Sequence, residues 1–473
     1  MKYLLLYIIL FPFLFAQEIF TEYLIEDSDT TDVFSYQIPS GYNPLNKHPM
    51  IITFHQWGGN ENSNYYTLFD EEANIRNWIL LSPFGGSANN YNHQGMQDMV
   101  EKELLWMIDN YNINKDKIYM VGGSMGGATG AIYANNHLDP SKPMVAATAS
   151  ASGILDCERR AIEMDGNNSM IEWFGGNYDE VPFEYHRNSA IYFADSTQSM
   201  HYNLKYTPIY LDFGITEPHR THAEDLYNIL LDYNESIWID ENPTGSHGYS
   251  VFDENHVCNW LSQYNLDYLN EPQTPNLINV NLDESSRAYW IEAYNQIIED
   301  EFIKINAEWY ESDGGNNESI YINQFYNADS LILHVLDEDI ENISLQINDF
   351  YNLLAIGFSG EIINQIFDYD ITINGPDSSS CNYYFNLNNN IFWLNTHTNC
   401  QLELGNYNIE FIFSTNDDIN QDGIWDVLDV VLIINHILDI SLLNNIQIEY
   451  ADLNNDQIIN VLDIIEIINI IIN

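Results

Sequence analysis

Ser124 stands in Gly122-Gly123-Ser124-Met125-Gly126, a G-x-S-x-G pentapeptide that follows the apolar run Ile118 to Val121 and leads into Gly127 and Ala128. A sharp strand-to-helix turn at such a motif lifts a serine Oγ above a sheet. Glycines on either side let neighbouring backbone pass close to that turn. The chemistry served is acyl transfer. It needs a hydroxyl nucleophile, an imidazole base, a carboxylate to orient the imidazole, and N–H groups facing the oxyanion.

The partners follow from chain order, serine then acid then histidine. Of 13 histidines, His247 lies in Thr244-Gly245-Ser246-His247-Gly248-Tyr249, after the strand-like run Ser236 to Ile239. The acid should follow the run Pro208 to Phe213. Glu217, in Gly214-Ile215-Thr216-Glu217-Pro218, is preferred; Asp212 within the run is its rival, and Asp225 is expected on the next helix. His219 and His222 read as surface-loop or helix-start residues. One oxyanion donor is the N–H of Met125, the residue after the nucleophile. The second is assigned to Trp57, ahead of Gln56, in His55-Gln56-Trp57-Gly58-Gly59-Asn60, which follows the run Met50 to Phe54. Trp57 also offers an aromatic wall to an acyl or aryl group.

These residues need a scaffold that brings several loops together. Strand-like runs at 50–54, 78–81, 118–121, 143–150, 208–213 and 236–239 alternate with helical patterns. One such pattern spans Asp98 to Tyr111, with Val100, Leu104, Ile108 and Tyr111 at helical spacing. Alternation of this kind predicts an α/β fold with a mainly parallel sheet over residues 17–270. A polar break with two prolines, Asn270 to Asn276, ends it. Beyond it the apolar period becomes two, as in Ile303, Ile305, Ala307 and Trp309. Residues 278–415 are therefore expected to form an all-β, sandwich-like module.

The last part, 416–473, repeats itself. Asp418, Asn420, Asp422, Asp426 and Asp429 recur as Asp452, Asn454, Asp456, Asn460 and Asp463, with Ile424 and Ile458 offering carbonyls at the seventh place. Two loops of the D-x-[DN]-x-D type, each running into an aliphatic helix, predict two structural Ca²⁺ sites, because Ca²⁺ takes six or more hard oxygen ligands. Gln457 stands where the first loop has Gly423, so the second site is expected to be weaker.

The composition narrows the partners. The formal net charge is −56, yet only 18% of residues are charged, so the imbalance is mainly a shortage of bases. No Lys or Arg follows Lys304. A nucleic-acid or anionic-lipid partner is excluded, since either needs clustered bases. Met1 to Ala16, with Lys2 before the apolar run Leu4 to Phe15, reads as a signal peptide. No later segment is a convincing membrane span. Behind a signal peptide, Cys157, Cys258, Cys381 and Cys400 suggest disulfides. Cys381 and Cys400 flank a hairpin-like stretch, which would leave Cys157 to pair with Cys258, though four cysteines allow three connectivities.

On the motifs around His55, Ser124 and His247, residues 18 to about 266 resemble secreted α/β-hydrolase esterases related to polyhydroxybutyrate depolymerases and feruloyl esterases. That family usually carries His-Gly where this chain has His55-Gln56, and Asp where it has Glu217. The resemblance implies a serine carboxylesterase acting on polyester, feruloyl or acetyl esters, with a substrate that can be polymeric and no catalytic cofactor. Phe174-Gly175-Gly176, Arg187-Asn188-Ser189 and Thr207-Pro208 resemble the prolyl-oligopeptidase branch, which keeps a peptidase as an alternative. An inactive extracellular adhesion or scaffold protein is another. Residues 418–473 resemble a dockerin. This implies a cohesin-like or cell-envelope partner, a secreted or surface-attached chain, and partner-reading positions at Val427-Leu428 and Val461-Leu462.

Overall fold

The computed structural model describes residues 18–472 apart from 27–28, 166–168, 233, 235, 267–274, 312–316, 337–339, 361–368, 377–382, 397–401, 414–418, 421–424, 439, 444 and 455–457. The signal peptide, Cys381 and Cys400, most of the 270–276 break, and Asp418, Asp422, Ile424 and Asp456 lie outside the described residues. The chain forms two compact units. The first takes the described residues up to Glu308 with Asn323–Leu331 and Asp349–Leu353. The second takes Trp309–Ile322, Ile332–Asn348 and the described residues from Leu354 on.

The first unit is built on an eight-stranded sheet: β1 Ile19–Glu26, β2 Asp29–Gln37, β3 His48–Phe54, β4 Ile79–Pro83, β5 Ile113–Gly123, β6 Ala147–Ala151, β7 Ile209–Gly214 and β8 Ile237–Asn242. Their spatial order is β1-β2-β4-β3-β5-β6-β7-β8. The first two strands pair antiparallel, and β2 is antiparallel to β4. From β4 to β8 every pairing is parallel. This is the α/β-hydrolase fold that the resemblance implies, on the mainly parallel sheet that the alternating pattern predicts. β3, β4, β6 and the Ile118–Gly123 part of β5 are buried almost throughout, as strands covered on both faces are. Helix Gln94–Asn110 lays Val100, Leu104 and Met107 on the sheet, and helix Met125–Asn136 adds Ala128, Ala131 and Ile132.

The register decides where the loops meet. Phe54 pairs with Gly122, Gly123 with Ala151, Ala151 with Asp212, and Gly214 with Asn242. The carboxyl ends of five strands are thus level. The loops that follow them open on one edge, where open α/β sheets carry their sites.

Strand Leu277–Leu282 is tied to the same unit. Asn203 Nδ2 donates to Asn281 O at 2.8 Å and Asn203 Oδ1 accepts from Asn281 N at 3.0 Å. Arg187 donates to Asp283 from Nη2 at 2.6 Å and Nε at 2.9 Å. The strand-rich remainder has two six-stranded sheets. One runs in the order Arg287–Ala288, Ile291–Gln296, Ala328–Leu336, Ala355–Gly360, Ile391–Thr396, Tyr383–Asn388. The other runs Tyr369–Asn374, Gly405–Phe413, Asn342–Ile347, Asn317–Tyr326, Ile303–Glu311, Leu277–Leu282. The chain ends in helices Val427–Ile437, Asn445–Ala451 and Val461–Ile472, packed around Ile419, Ile433, Leu443, Ala451 and Ile467.

The expected Cys157–Cys258 disulfide is not formed. Both residues are free and buried. Cys157 opens helix Cys157–Glu163 and its Sγ donates to Asn188 O at 3.0 Å. Cys258 belongs to helix Glu254–Leu261, which is hydrogen-bonded through Asn259 to Arg76 at 2.7 Å. Each thiol is enclosed in its own helix packing, and burial pushes both up to about 12. Among the described residues no helix is long and apolar enough to cross a membrane.

Candidate active site

Ser124 occupies the turn between β5 and helix Met125–Asn136 with φ 55° and ψ −117°. A left-handed φ costs a serine energy, so the turn persists only because its surroundings over-determine it. Ser124 N donates to Ala151 O at 2.8 Å, while Ser124 O accepts from Gly127 N at 3.0 Å and Ile154 N at 3.2 Å. Gly126 permits the close approach. A Cβ there would stand 2.5 Å from the carbonyl oxygens of both Phe54 and His55.

His247, in the loop after β8, brings Nε2 to 2.7 Å from Ser124 Oγ. Its Nδ1 lies 3.1 Å from Glu217 Oε2. Glu217 is only 4% exposed and its Oε1 has no hydrogen-bond partner. The geometry therefore joins Ser124, His247 and Glu217 in one hydrogen-bonded chain. The rival Asp212 stays in β7, where its Oδ1 is buried without a partner. Burial, with Asp240 and Glu217 nearby, pushes its carboxyl up to about 7. Asp225 lies on helix Arg220–Leu230, as expected, and binds Arg159 at 2.7 Å.

Met125 is the first residue of its helix, so its N–H has no intrahelical partner. The loop after β3 folds tightly, with Gly59 N donating to Gln56 O at 2.8 Å and Gly58 N to Ala88 O at 2.7 Å. Trp57, 60% exposed, lines the same cavity as Ser124. Gln56 turns elsewhere: its Oε1 accepts from Tyr249 N at 2.9 Å, and it fills the space beside Gly248 and Gly123.

The cavity holds about 450 Å³ and is lined by Trp57, Tyr91, Ser124, Ile154, Arg160, Met164, Ser169, His219 and His247. Tyr91, Ile154, Arg160, Met164 and Ser169 carry no motif that marks them in the sequence. The histidines at 219 and 222 stand at the start of helix Arg220–Leu230, as expected, but neither is a surface residue. His219 immediately precedes helix Arg220–Leu230, and its ring stands edge-on to His247 at 5.9 Å. His222 is fully buried, accepting from Leu155 N at 3.2 Å through Nδ1. Both face Glu163, at 3.2 Å from His219 and 3.6 Å from His222. His222 chiefly holds the Glu163 carboxyl down to about 2.

In the C-terminal repeat, Asp429 and Asp463 are fully buried. Asp429 accepts from Ile419 N, Asn420 N and Asp426 N at 2.9–3.0 Å. Asp463 accepts from Asn454 N at 3.4 Å and Asn460 N at 2.8 Å. Each thus reaches back to the third and ninth places of its own loop. The ninth-place side chains cap helices, Asp426 through Leu428 N at 2.6 Å and Asn460 through Leu462 N at 2.8 Å. Among the described residues no three His, Cys, Asp or Glu are gathered as a metal site. Asn420, Asn454 and Asn460 are not among those types, and three of the loop aspartates lie outside the described residues. Val427, Leu428, Val461 and Leu462 are all exposed.

No curated protein matches this sequence. Among solved structures the chain is similar to an S-formylglutathione hydrolase from Staphylococcus aureus. Identity is 14% and the TM-score 0.42, over 52% of this chain and 99% of that one. An S-formylglutathione hydrolase from Agrobacterium tumefaciens shares 12% identity with a TM-score of 0.40, over 52% and 94%. A ferulic acid esterase shares 15% with a TM-score of 0.39, over 52% and 96%. Residues 416–472 match the model of the Dockerin type I domain, so an α/β-hydrolase fold and a C-terminal dockerin stand on one chain.

Proposed function

We propose that the chain is a secreted serine carboxylesterase. The observation that carries this reading is the unbroken hydrogen-bond chain from Ser124 Oγ through His247 to Glu217, at 2.7 and 3.1 Å. Ser124 attacks the ester carbonyl as His247 Nε2 takes its proton. Glu217 holds the imidazole and stabilises its cationic form. The N–H groups of Met125 and Trp57 face the oxyanion. His247 returns the proton to the leaving alcohol, and water then releases the acyl group from Ser124. Trp57, Ile154 and Met164 offer apolar walls for the acyl or alcohol part of a polyester, feruloyl or acetyl ester.

The dockerin is proposed to attach the enzyme to a cohesin-like or cell-envelope partner through the exposed pairs Val427-Leu428 and Val461-Leu462. Two Ca²⁺ ions fit its loops on one observation. Asp429 and Asp463 are fully buried carboxylates in a part of the chain with no Lys or Arg to balance them. Asn420, Asp429, Asp452, Asn454, Asp463 and the Ile458 carbonyl would hold the ions, with Asp418, Asp422, Asp456 and the Ile424 carbonyl. Asp426 and Asn460 would reach them through water, since both already serve as caps. The ions supply charge balance and fix the loops.

Hydrolysis of p-nitrophenyl butyrate that vanishes in Ser124→Ala is the expected result. Cleavage of a peptide anilide in preference to that ester would replace the reading with a peptidase. No hydrolysis across an ester panel would favour an inactive scaffold.

A further inference from the structure

Among the described residues Arg160 is the single Lys or Arg lining the cavity that Ser124 opens on, in a chain with only 14 such residues and a net charge of −56. It sits on helix Cys157–Glu163. Its charge is incompletely answered by the protein. The nearest carboxylate, Glu163, stands 3.3 Å from Arg160 Nη1 but is shared with Arg159 at 3.7 Å, His219 at 3.2 Å and His222 at 3.6 Å. Arg160 Nη1 also meets His219 Nδ1 at 3.4 Å.

Two polar atoms of the cavity lining are buried with no hydrogen-bond partner: Arg160 Nε and Ser169 Oγ. Buried donors are nearly always satisfied, and an unsatisfied charged donor is costly. Both belong to residues that line the cavity, so a ligand that draws these side chains toward it completes the set. Tyr91 lines the same cavity with φ 45°, a left-handed backbone that a bulky residue rarely adopts. Its phenol feels the Arg160 charge, which works against the upward push of burial. A planar guanidinium pairs best with a planar carboxylate. With a single cation in so acidic a protein, a monoanion suits this wall better than a phosphate.

We propose that Arg160, with Ser169, forms an anion subsite that selects esters carrying a carboxylate beside the scissile bond. This rests on the esterase reading and names its substrate class. The carboxylate can stand on the acyl or on the alcohol part, and the test separates the two. Hydrolysis of 4-nitrophenyl hydrogen adipate is compared with 4-nitrophenyl hexanoate, and 4-carboxyphenyl butyrate with phenyl butyrate. One anionic ester should exceed its neutral partner in kcat/KM by about 10- to 100-fold, the range of a charge-assisted hydrogen bond. The gain should fall with added salt. Arg160→Gln should remove it through KM, bringing the anionic ester down to the level of its neutral partner in the same variant. Arg160→Lys should keep a part of it. No preference in the wild-type chain for either anionic ester, or a preference that Arg160→Gln retains, overturns the proposal. If no ester is hydrolysed, the esterase reading fails by itself. Calorimetry with monomethyl adipate then decides the subsite: heat of binding that Arg160→Gln abolishes supports it, and none in the wild-type chain sinks it.

Discussion

Gln56 Oε1 accepts the Tyr249 N–H at 2.9 Å, two residues after the histidine that meets Ser124. The loop after β3 and the loop after β8 are joined by this bond. The Gln56 side chain also leaves no room for a Cβ on Gly248. A glycine at position 56, as the resembling esterases carry, could not make the tie.

Gln56→Leu keeps most of the volume and loses the acceptor. The buried Tyr249 N–H is then unpaired, at a cost of about 1–3 kcal/mol. We expect a lower melting temperature and a kcat reduced roughly 3- to 30-fold, with KM nearly unchanged, by thermal unfolding and steady-state kinetics. Unchanged kcat would mean that the tie does not position His247.

The strained turn at Ser124 can be tested without activity. Ser124→Ala and Ser124→Gly both lose the hydrogen bond to His247, but only glycine relaxes at φ 55°. Ser124→Gly should be more stable than Ser124→Ala by about 1 kcal/mol, read by denaturant unfolding. Equal stability would show that the turn stores no strain. Both variants should lose ester hydrolysis by about 10⁴-fold or more.

The two acids after β7 should separate by kinetics and by pH. Glu217→Gln should lower kcat by about 10³- to 10⁴-fold, whereas Asp212→Asn should lower it far less. Asp212 has its carboxyl raised to about 7 in the fold. A raised acid favours the folded state while protonated. Its contribution is therefore complete below about pH 4 and is lost as pH climbs through 7. Asp212→Asn should remove that loss. Its melting temperature, relative to wild type, should rise between about pH 5 and pH 8. A parallel pH profile for the two proteins would contradict the assignment.

Calcium should stabilise the C-terminal part alone. At 100-fold excess over the dissociation constant each ion adds about 2.7 kcal/mol. Calorimetry should count two ions in the wild-type chain and one in Asp463→Asn. A chelator should lower the melting of the C-terminal helices and leave ester hydrolysis intact. No heat of calcium binding would end this reading.

The thiols offer a direct count. Alkylation of the denatured, unreduced protein should label Cys157 and Cys258 fully, read by mass spectrometry of their peptides. Protection of both until reduction would restore the disulfide.

The parallel strands and the serine were legible because both signals are local. Buried strands read as apolar runs, and the G-x-S-x-G turn lies between one such run and a small-residue helix. The edge hairpin β1–β2 was not read, since its first strand alternates only between half-buried and exposed residues. Glu217 and Asp212 belong to one strand and the loop after it, and only the fold of that loop turns Glu217 to His247. The cysteine pairing failed for a physical reason: an even count says nothing of helices that bury each thiol separately. Arg160 and Tyr91 stayed hidden because they reach the cavity from segments with no spacing relation to Ser124. His222 is at a helix start, as its sequence suggests, yet it is fully buried, since it spans from Leu155 N to Glu163.

Lys304 is the last basic residue of the chain, and it lies in a strand where it pairs with Asn281. A trypsin-like protease therefore has no cleavage point anywhere in the 169 residues that follow. The final point it could use is held within a paired strand, and strands must part before a protease can thread them. Among the digestive enzymes of other organisms, those that need lysine or arginine cannot cut between Lys304 and the dockerin, and must open a paired strand to cut at Lys304 itself.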